Sequence, residues 1–406
     1  MTVRTTRVFP ILGFLILGLL VQTAPAGAQE AVEFRYRYAE GELYRILSTV
    51  DQYVYYNDQY SHRANLLNRI AVKVAETEGE TAQLELEYLH SAQTEGLQSA
   101  FQYEDRYYSE FRRDVYGHYD VPEEYYVPTV RDVPIFPEEP VRPGDTWVRD
   151  GVEVHDLRRV FQIEEPFRFT MPVQYEYLGP IERDGKTYDQ LSISYNVFYR
   201  VPAGPGPLRP VLVTGYSDQR MYWDRDRGRP HEYEEEYLFI WELASGDSIR
   251  YEGTAEARIV ESSILDRDRV ADDIRRDLEG LENTNVEATD DGVTISLEDI
   301  RFLPDSSVLI DTERDKLRRI AEVLSEYPER DLMVTGHTAL AGTEAGRQAL
   351  SEQRARAVGE FLLELGVRER DQLIYRGMGA RNPVAPNDTE ANMRKNRRVE
   401  ITIMEN

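Results

Sequence analysis

Hydrophobic and polar residues alternate along the first half of the chain. The clearest run lies in residues 191–201, where every second position is apolar or aromatic: Leu191, Ile193, Tyr195, Val197, Tyr199 and Val201. The same period recurs at residues 34–38, 84–88 and 237–241, with glycine-containing turns between the runs. A period of two places alternate side chains on opposite faces of a strand. The pattern predicts an antiparallel β domain over residues 32–262, either a sandwich or a curved sheet with one solvated face.

The period changes to that of a helix after residue 264. Val270, Ile274, Leu278 and Leu281 are three or four residues apart, which predicts an amphipathic helix. We expect residues 264–285 to be a helical linker or the first helix of a second domain. Over residues 286–406, strand and helix patterns then alternate in the order β-α-β-α-β. This order predicts an α/β sandwich with helices over one sheet, and an α+β fold class for the whole chain.

The N-terminus has the pattern of a secretory signal peptide over residues 1–28. Arg4 and Arg7 precede a short apolar run at residues 14–21, and small residues follow at Ala26 and Ala28. We therefore expect the protein to be exported. The sequence contains no cysteine, which excludes disulfides, thiolate metal sites and a lipidated N-terminal cysteine.

The net charge of the chain limits the classes of molecule that it is expected to bind. The chain has 74 acidic and 48 basic residues, a formal net charge of -26. Such an acidic protein is poorly suited to bind nucleic acid or anionic lipid. Nearly all of the 27 tyrosines precede residue 260, which supports the division into a β-rich and an α/β half.

Sequence patterns of catalysis are weak in both halves. The histidines are scattered, without the spacing of a metal site, and the chain has no G-x-S-x-G or phosphate-binding loop motif. Acidic pairs such as Glu123 with Glu124 are more typical of a solvated surface than of glycosidase carboxylates. We expect no enzymatic activity, no cofactor and no metal.

Several spaced motifs mark the last third of the chain. Gly336, His337 and Thr338 are followed by Gly342, residues 350–355 contain L-S-x-x-R-A, and residues 377–383 contain G-x-G-x-x-x-P. The sequence F-x-x-D-S at residues 302–306 precedes them, and N-R-R-V-E-I at residues 396–401 closes the series. In these motifs and their order, residues 286–406 resemble the OmpA-like peptidoglycan-binding domain of outer-membrane proteins, lipoproteins and flagellar stators.

The resemblance implies a site for the diamino acid of the peptidoglycan stem peptide. In the family, an aspartate takes the ammonium of this residue and the arginine of L-S-x-x-R-A takes its carboxylate. Arg354 matches the arginine, but Ala339 stands at the aspartate position and Arg347 at a family asparagine. Binding residues expected from the resemblance are Asp305, Thr338, Ala339, Leu340, Glu344, Arg347, Arg354 and Arg398. Gly336, His337 and Gly342 are expected to shape the loop, the glycines through unusual backbone conformations.

Three consequences of Ala339 remain open. In the first, the domain binds a wall with another diamino acid, such as ornithine, and Glu344 or Asp305 supplies the negative charge. In the second, it binds weakly through Arg354 alone. In the third, it has lost the ligand. Together the observations predict a non-enzymatic envelope protein that docks non-covalently on peptidoglycan. Its β domain would face the periplasm or outer membrane and bind an unidentified protein. The alternatives are an outer-membrane β-barrel anchored to the wall and, less favoured, a wall hydrolase.

Overall fold

A computed structural model describes residues 31–93, 101–202, 206–261, 265–302 and 308–405. The expected signal peptide, residues 1–28, lies outside the described residues. No helix within these ranges is both long and apolar enough to span a membrane.

The first half of the chain forms one large antiparallel sheet. Its strands are β1 (Leu43–Tyr56), β2 (Gln59–Glu78), β3 (Thr81–Gln93), β4 (Phe101–Asp114), β5 (Tyr119–Asp120), β6 (Val130–Arg131), β7 (Thr146–His155), β8 (Phe167–Arg183), β9 (Lys186–Arg200), β10 (Pro210–Asp224), β11 (Arg229–Leu243) and β12 (Ser248–Glu261). A short helix, α1 (Arg158–Phe161), precedes β8. Strand β1 pairs with both β2 and β12, so the order is β5-β4-β3-β2-β1-β12-β11-β10-β9-β8-β7-β6.

This sheet is curled around an aromatic core. The rings of His155 on β7 and Trp241 on β11 are only 5.1 Å apart between centroids. Four strand spacings separate these strands along the sheet, about 19 Å if the sheet were flat. Of the two predicted forms, the chain therefore adopts the curved sheet. The alternating residues of β9 point inward as predicted, and Leu191 and Ile193 are fully buried.

The second half has its own sheet and helices. Its elements are α2 (Arg267–Asp277), β13 (Thr284–Thr289), β14 (Gly292–Glu298), α3 (Asp311–Leu324), β15 (Leu332–Gly336), α4 (Glu344–Glu364), a 3₁₀ turn (Arg370–Gln372), β16 (Leu373–Gly377), α5 (Glu390–Asn396) and β17 (Arg398–Met404). The strand order is β13-β14-β17-β15-β16, and only the β15–β16 pair within this set is parallel. Leu317, Ile320 and Leu324 of α3 are fully buried, because residues three and four apart lie on one face of a helix.

Helix α2 belongs to the second core. Val270, Ala271 and Ile274 are buried in the same hydrophobic cluster as the strands of the second sheet. The predicted helix began at Ile264, which lies outside the described residues. The described part, α2, packs as a helix of the second half, because it contacts β13 and β14.

The two halves meet through a buried interface. Strand β16 pairs in parallel with the start of β4, at Ile374 opposite Phe101. Beside this pairing, a small apolar cluster joins Leu67, Leu89 and Phe101 to Met333, Ile374 and Met404. The Asp331 carboxylate accepts a 2.6 Å hydrogen bond from Nε of Arg69 and lies 3.5 Å from Nη1 of Arg45. The interface therefore combines apolar packing with a buried ion pair.

Candidate functional site

The candidate site lies where the two parallel strands of the second sheet end. Gly336 at the end of β15 is directly opposite Gly377 at the end of β16. The loop of residues 337–343 leads from β15 into α4, and the turn of residues 378–381 follows β16. Ligand sites of open α/β sheets lie beyond the carboxyl ends of the strands. The motif residues predicted from the sequence therefore meet at a favourable position.

Helix α4 packs directly against these strand ends. A Cβ atom on Gly336 would lie 2.1 Å from the carbonyl oxygen of Ser351, and one on Gly377 would lie 2.5 Å from Ser351 Oγ. Gly336 is thus required for close approach of the helix, and the predicted need for an unusual backbone conformation was wrong at this position. At Gly342 that prediction is confirmed, because its φ is +75°.

The loop after β15 is held at several points. The Thr338 N–H donates to the carbonyl of Gly379 at 2.8 Å, and the Leu340 N–H donates to Asn387 Oδ1 at 2.9 Å. Within the loop, Ala339 is only 5 % exposed whereas Leu340 is 59 % exposed. The loop therefore presents an apolar side chain to solvent, and no carboxylate stands at the position where the family has its aspartate.

A hydrogen-bonded group of charged and polar side chains lies at the start of the loop, around His337. His337, which is buried, lies with Nε2 3.1 Å from Oε2 of Glu400, and Arg398 Nε donates to Oε1 of Glu400 at 2.7 Å. Burial lowers the pKa of His337, although its hydrogen bond with Glu400 acts in the opposite direction. Burial alone would raise the pKa of Glu400, but His337 and Arg398 outweigh it and lower that pKa to about 2. His337 is therefore held by Glu400, and its role in shaping the loop stays a prediction.

Arg354 projects from α4 towards Phe302. Its guanidinium carbon lies 5.0 Å from the ring centroid of Phe302, a cation–π distance. Its Nε is shielded from solvent and has no hydrogen-bond partner among the described residues. Burial, and secondarily the charge of Arg397, lower the pKa of Arg354. Nη1 of Arg398 is similarly shielded and unpartnered within the described part of the chain. Both groups retain donor capacity that an anionic ligand would satisfy.

A cleft of about 600 Å³ opens beside the loop. It lies between the first turns of α4 and the turn after β16, and its lining includes Leu340, Glu344, Arg347, Gln348, Gly379 and Arg381. Arg347 donates from Nη1 to the carbonyl of Gly342 at 2.6 Å, and Arg381 donates from Nη2 to Gln348 Oε1 at 2.6 Å. These contacts hold two guanidinium groups at the same opening.

The structure groups most of the residues singled out from the sequence. Leu340, Glu344 and Arg347 line the cleft, with Thr338 and Ala339 in the loop that bounds it. Asp305 lies outside the described residues, so its role stays a prediction. Arg381 was missed by sequence reasoning. The only available clue was its place inside the G-x-G-x-x-x-P motif, where the family pattern specifies no residue type.

A second cleft, of about 340 Å³, lies in the β half beside Tyr177, Asp189 and Arg225. Its charged groups are bound to one another. Arg225 donates two hydrogen bonds to the Asp189 carboxylate, at 2.8 and 2.7 Å, and Tyr177 donates a third at 2.6 Å. Because Asp189 is already paired, this cleft is a weaker candidate for a polar ligand than the one beside α4.

The second half is thus an α/β domain with arginines gathered at the carboxyl ends of two parallel strands. Residues 301–397 match the OmpA family, so this part of the chain is an OmpA family domain. No family model matches the N-terminal half.

Curated relatives match over limited lengths. The peptidoglycan-binding protein ArfA of Mycobacterium tuberculosis is 36% identical over 104 residues, which cover 26% of this chain and 32% of ArfA. The probable lipoprotein YiaD of Escherichia coli is 34% identical over 126 residues, 30% of this chain and 57% of YiaD. The chain therefore spans about a third of ArfA and little more than half of YiaD.

Among solved structures, an outer membrane protein of Borrelia burgdorferi is 34% identical, with 30% of this chain and 96% of that chain covered and a TM-score of 0.25. The periplasmic domain of MotB from Helicobacter pylori is 28% identical, with 30% of this chain and 82% of that chain covered and a TM-score of 0.28.

Proposed function

We propose that this chain is a non-enzymatic protein of the cell envelope that docks on peptidoglycan through its OmpA family domain. The observation that carries the proposal is Arg354, which has a shielded Nε without a partner among the described residues, at the ligand end of the sheet. The name of ArfA, a peptidoglycan-binding protein, supports the same ligand class.

Recognition would centre on a carboxylate of the stem peptide. A planar guanidinium binds a carboxylate through two parallel hydrogen bonds, which gives direction as well as affinity. Arg354 supplies this group. Arg398 on β17 is paired with Glu400 through Nε and offers its unpartnered Nη1 as a further donor. Thr338 is 6 % exposed, and its hydroxyl has no partner among the described residues. We assign it a hydrogen bond to the same ligand.

The ammonium of the diamino acid requires a different partner from that of the family. Ala339 cannot supply it, so we assign the negative charge to Glu344, which is exposed in the first turn of α4 and lines the cleft. Ornithine has an ammonium but no carboxylate in its side chain, so in an ornithine-type stem Arg354 would bind the carboxylate of a neighbouring residue. We propose ornithine-type peptidoglycan as the preferred wall, with diaminopimelate-type wall bound more weakly.

The β half would be presented to the periplasm after export, where it binds a protein partner. Its strands support a water-facing surface. Along β8, the inward residues Phe169, Met171 and Val173 are buried, while Thr170 and Gln174 on the other face are exposed. A polar outer face is suited to water.

A sedimentation assay with insoluble peptidoglycan of both wall types tests this function. We expect the full chain to sediment with the wall, and Arg354→Ala to weaken binding by about 10- to 100-fold, because a charge-assisted hydrogen bond is lost. Arg356→Ala, two residues along the same helix, is the matched control and should bind normally. Equal binding by both variants would show that the ligand does not bind at Arg354.

A further inference from the structure

The cleft beside α4 has a charge pattern that the diamino acid does not explain. Arg347 and Arg381 bring two guanidinium groups to one opening, and Glu344 is the single acidic residue of its lining. The cleft is therefore locally positive in a chain whose formal net charge is -26. A pair of positive groups held together against this background favours an anionic ligand.

The protein fixes both guanidinium groups without neutralising them. Carbonyl and amide oxygens accept their hydrogen bonds: Gly342 O from Arg347 at 2.6 Å, and Met378 O and Gln348 Oε1 from Arg381 at 3.2 and 2.6 Å. Neutral acceptors orient an arginine but leave its charge in place. Moreover, Nε of Arg347 is shielded from solvent and unpartnered within the described residues. Each guanidinium has five N–H donors, so both retain donors for a ligand.

The spacing along α4 relates this cleft to Arg354. Arg347 and Arg354 are seven residues apart, which places them near the same face, about 10 Å apart along the helix axis. An extended peptide advances about 3.3–3.6 Å per residue. About three residues of a stem peptide therefore span the distance from Arg354 to the cleft.

We infer that the Arg347–Arg381 cleft is a second carboxylate subsite, which binds the free C-terminal carboxylate of a stem peptide that Arg354 holds through another carboxylate. This inference rests on the proposed function. It makes the protein selective for stem peptides that continue about three residues beyond the residue held at Arg354 and end in a free carboxylate. Trimmed or amidated stems bind more weakly.

The test measures the affinity of the full chain for soluble synthetic stem peptides by titration calorimetry. Each peptide is prepared with a free and with an amidated C-terminus, and the pair is made with diaminopimelate and with ornithine. The wild-type chain should bind the free acid about tenfold or more tightly than the amide, the value of a lost charge-assisted contact. The double variant Arg347→Gln with Arg381→Gln should bind both forms with equal affinity.

A charge-matched control is Arg276→Gln with Arg318→Gln, since both arginines are exposed on helices outside the cleft. This control should keep the preference for the free acid. Equal binding of acid and amide by the wild-type chain would overturn the inference without requiring any variant to fold, as would a preference that persists in the double variant. If the wild-type chain binds neither peptide nor insoluble wall, both the proposed function and the subsite fail; if it binds the wall without distinguishing acid from amide, only the subsite fails.

Discussion

Ala339 is the residue at which this domain departs most clearly from its family. Its side chain is 5 % exposed, while Arg354 keeps its place on α4. Under the proposed function, a site that has Arg354 but lacks the aspartate of the family would bind another ligand or use another carboxylate. The predictions for single residues therefore concern changes in the charge of side chains.

Returning the acid to the loop should change the preference between walls. We expect Ala339→Asp to increase affinity for diaminopimelate-type stem peptide by about tenfold, because the new carboxylate pairs with the ligand ammonium. Ala341→Asp adds the same charge at an exposed position of the same loop and serves as control. The measurement is the affinity for soluble stem peptide, and an equal gain in both variants would show that only the overall charge matters.

His337 should make the stability of this protein sensitive to mild acid. Burial lowers its pKa in the folded chain, so below about pH 6.5 the unfolded chain takes up the proton first. The stability contributed by neutral His337 is present above that pH and is lost as the pH falls towards its folded pKa. Glu400 acts in the same direction at lower pH, because its folded pKa is about 2.

The thermal unfolding temperature, measured between pH 7 and pH 5.5, tests this account. We expect His337→Gln to lose less stability over this interval than the wild-type chain, since the substituted side chain does not titrate. The interval lies above the range in which Glu400 takes up a proton. Parallel pH curves for the two proteins would contradict the role assigned to His337.

At the scale of elements, the contact of α4 with the ends of β15 and β16 positions the site. The helix begins at Glu344, where the Thr343 hydroxyl accepts a hydrogen bond from the Gly346 N–H at 3.2 Å. Two glycines at the strand ends let the helix approach to backbone contact. The position of Arg354 on α4 therefore depends on the packing of Gly336 and Gly377 against Ser351.

Gly336→Ala tests this dependence. The added methyl group would meet the Ser351 carbonyl, so we expect a loss of about 1–3 kcal/mol in stability and weaker wall binding as α4 shifts. Gly366→Ala lies in open space with φ of +69° and should cost about 1 kcal/mol without affecting binding. Thermal unfolding and sedimentation with wall are measured for both. Normal wall binding by Gly336→Ala would show that the site tolerates movement of the helix.

On the scale of the whole molecule, the two halves share a sheet edge and a buried ion pair. Asp331 is 6 % exposed and Arg69 2 % exposed, so neither charge is solvated once its partner is removed. This arrangement joins the OmpA family domain to the β half through a defined interface.

We expect Asp331→Ala to lower the free energy of unfolding by about 3–5 kcal/mol, because Arg69 and Arg45 would be left buried without a counter-charge. Asp315→Ala removes the exposed partner of Arg318 and should cost less than about 1 kcal/mol. Urea unfolding followed by circular dichroism gives both values. Similar small losses in the two variants would show that the interface opens readily to water.

Local pattern determined the elements and much of the site. The period of two in β9 and the apolar stripe of α2 were predictable, because each depends on side chains that are neighbours along the chain. The loop motif and Arg354 were identified through the resemblance to the family, whose motifs are short in sequence. The division of the chain into domains, with a boundary near residue 262, stays a prediction.

Tertiary structure alone decided the features that depend on residues far apart in sequence. The curl of the first sheet brings His155 to Trp241, β4 pairs with β16, and Arg381 faces Arg347 across the cleft. The need for glycine at position 336 also depends on a distant residue, Ser351 on the following helix α4. Sequence spacing determines which residues share a face of a strand or helix. The distances between elements are set by packing, and these distances determine which charged groups and close contacts come together.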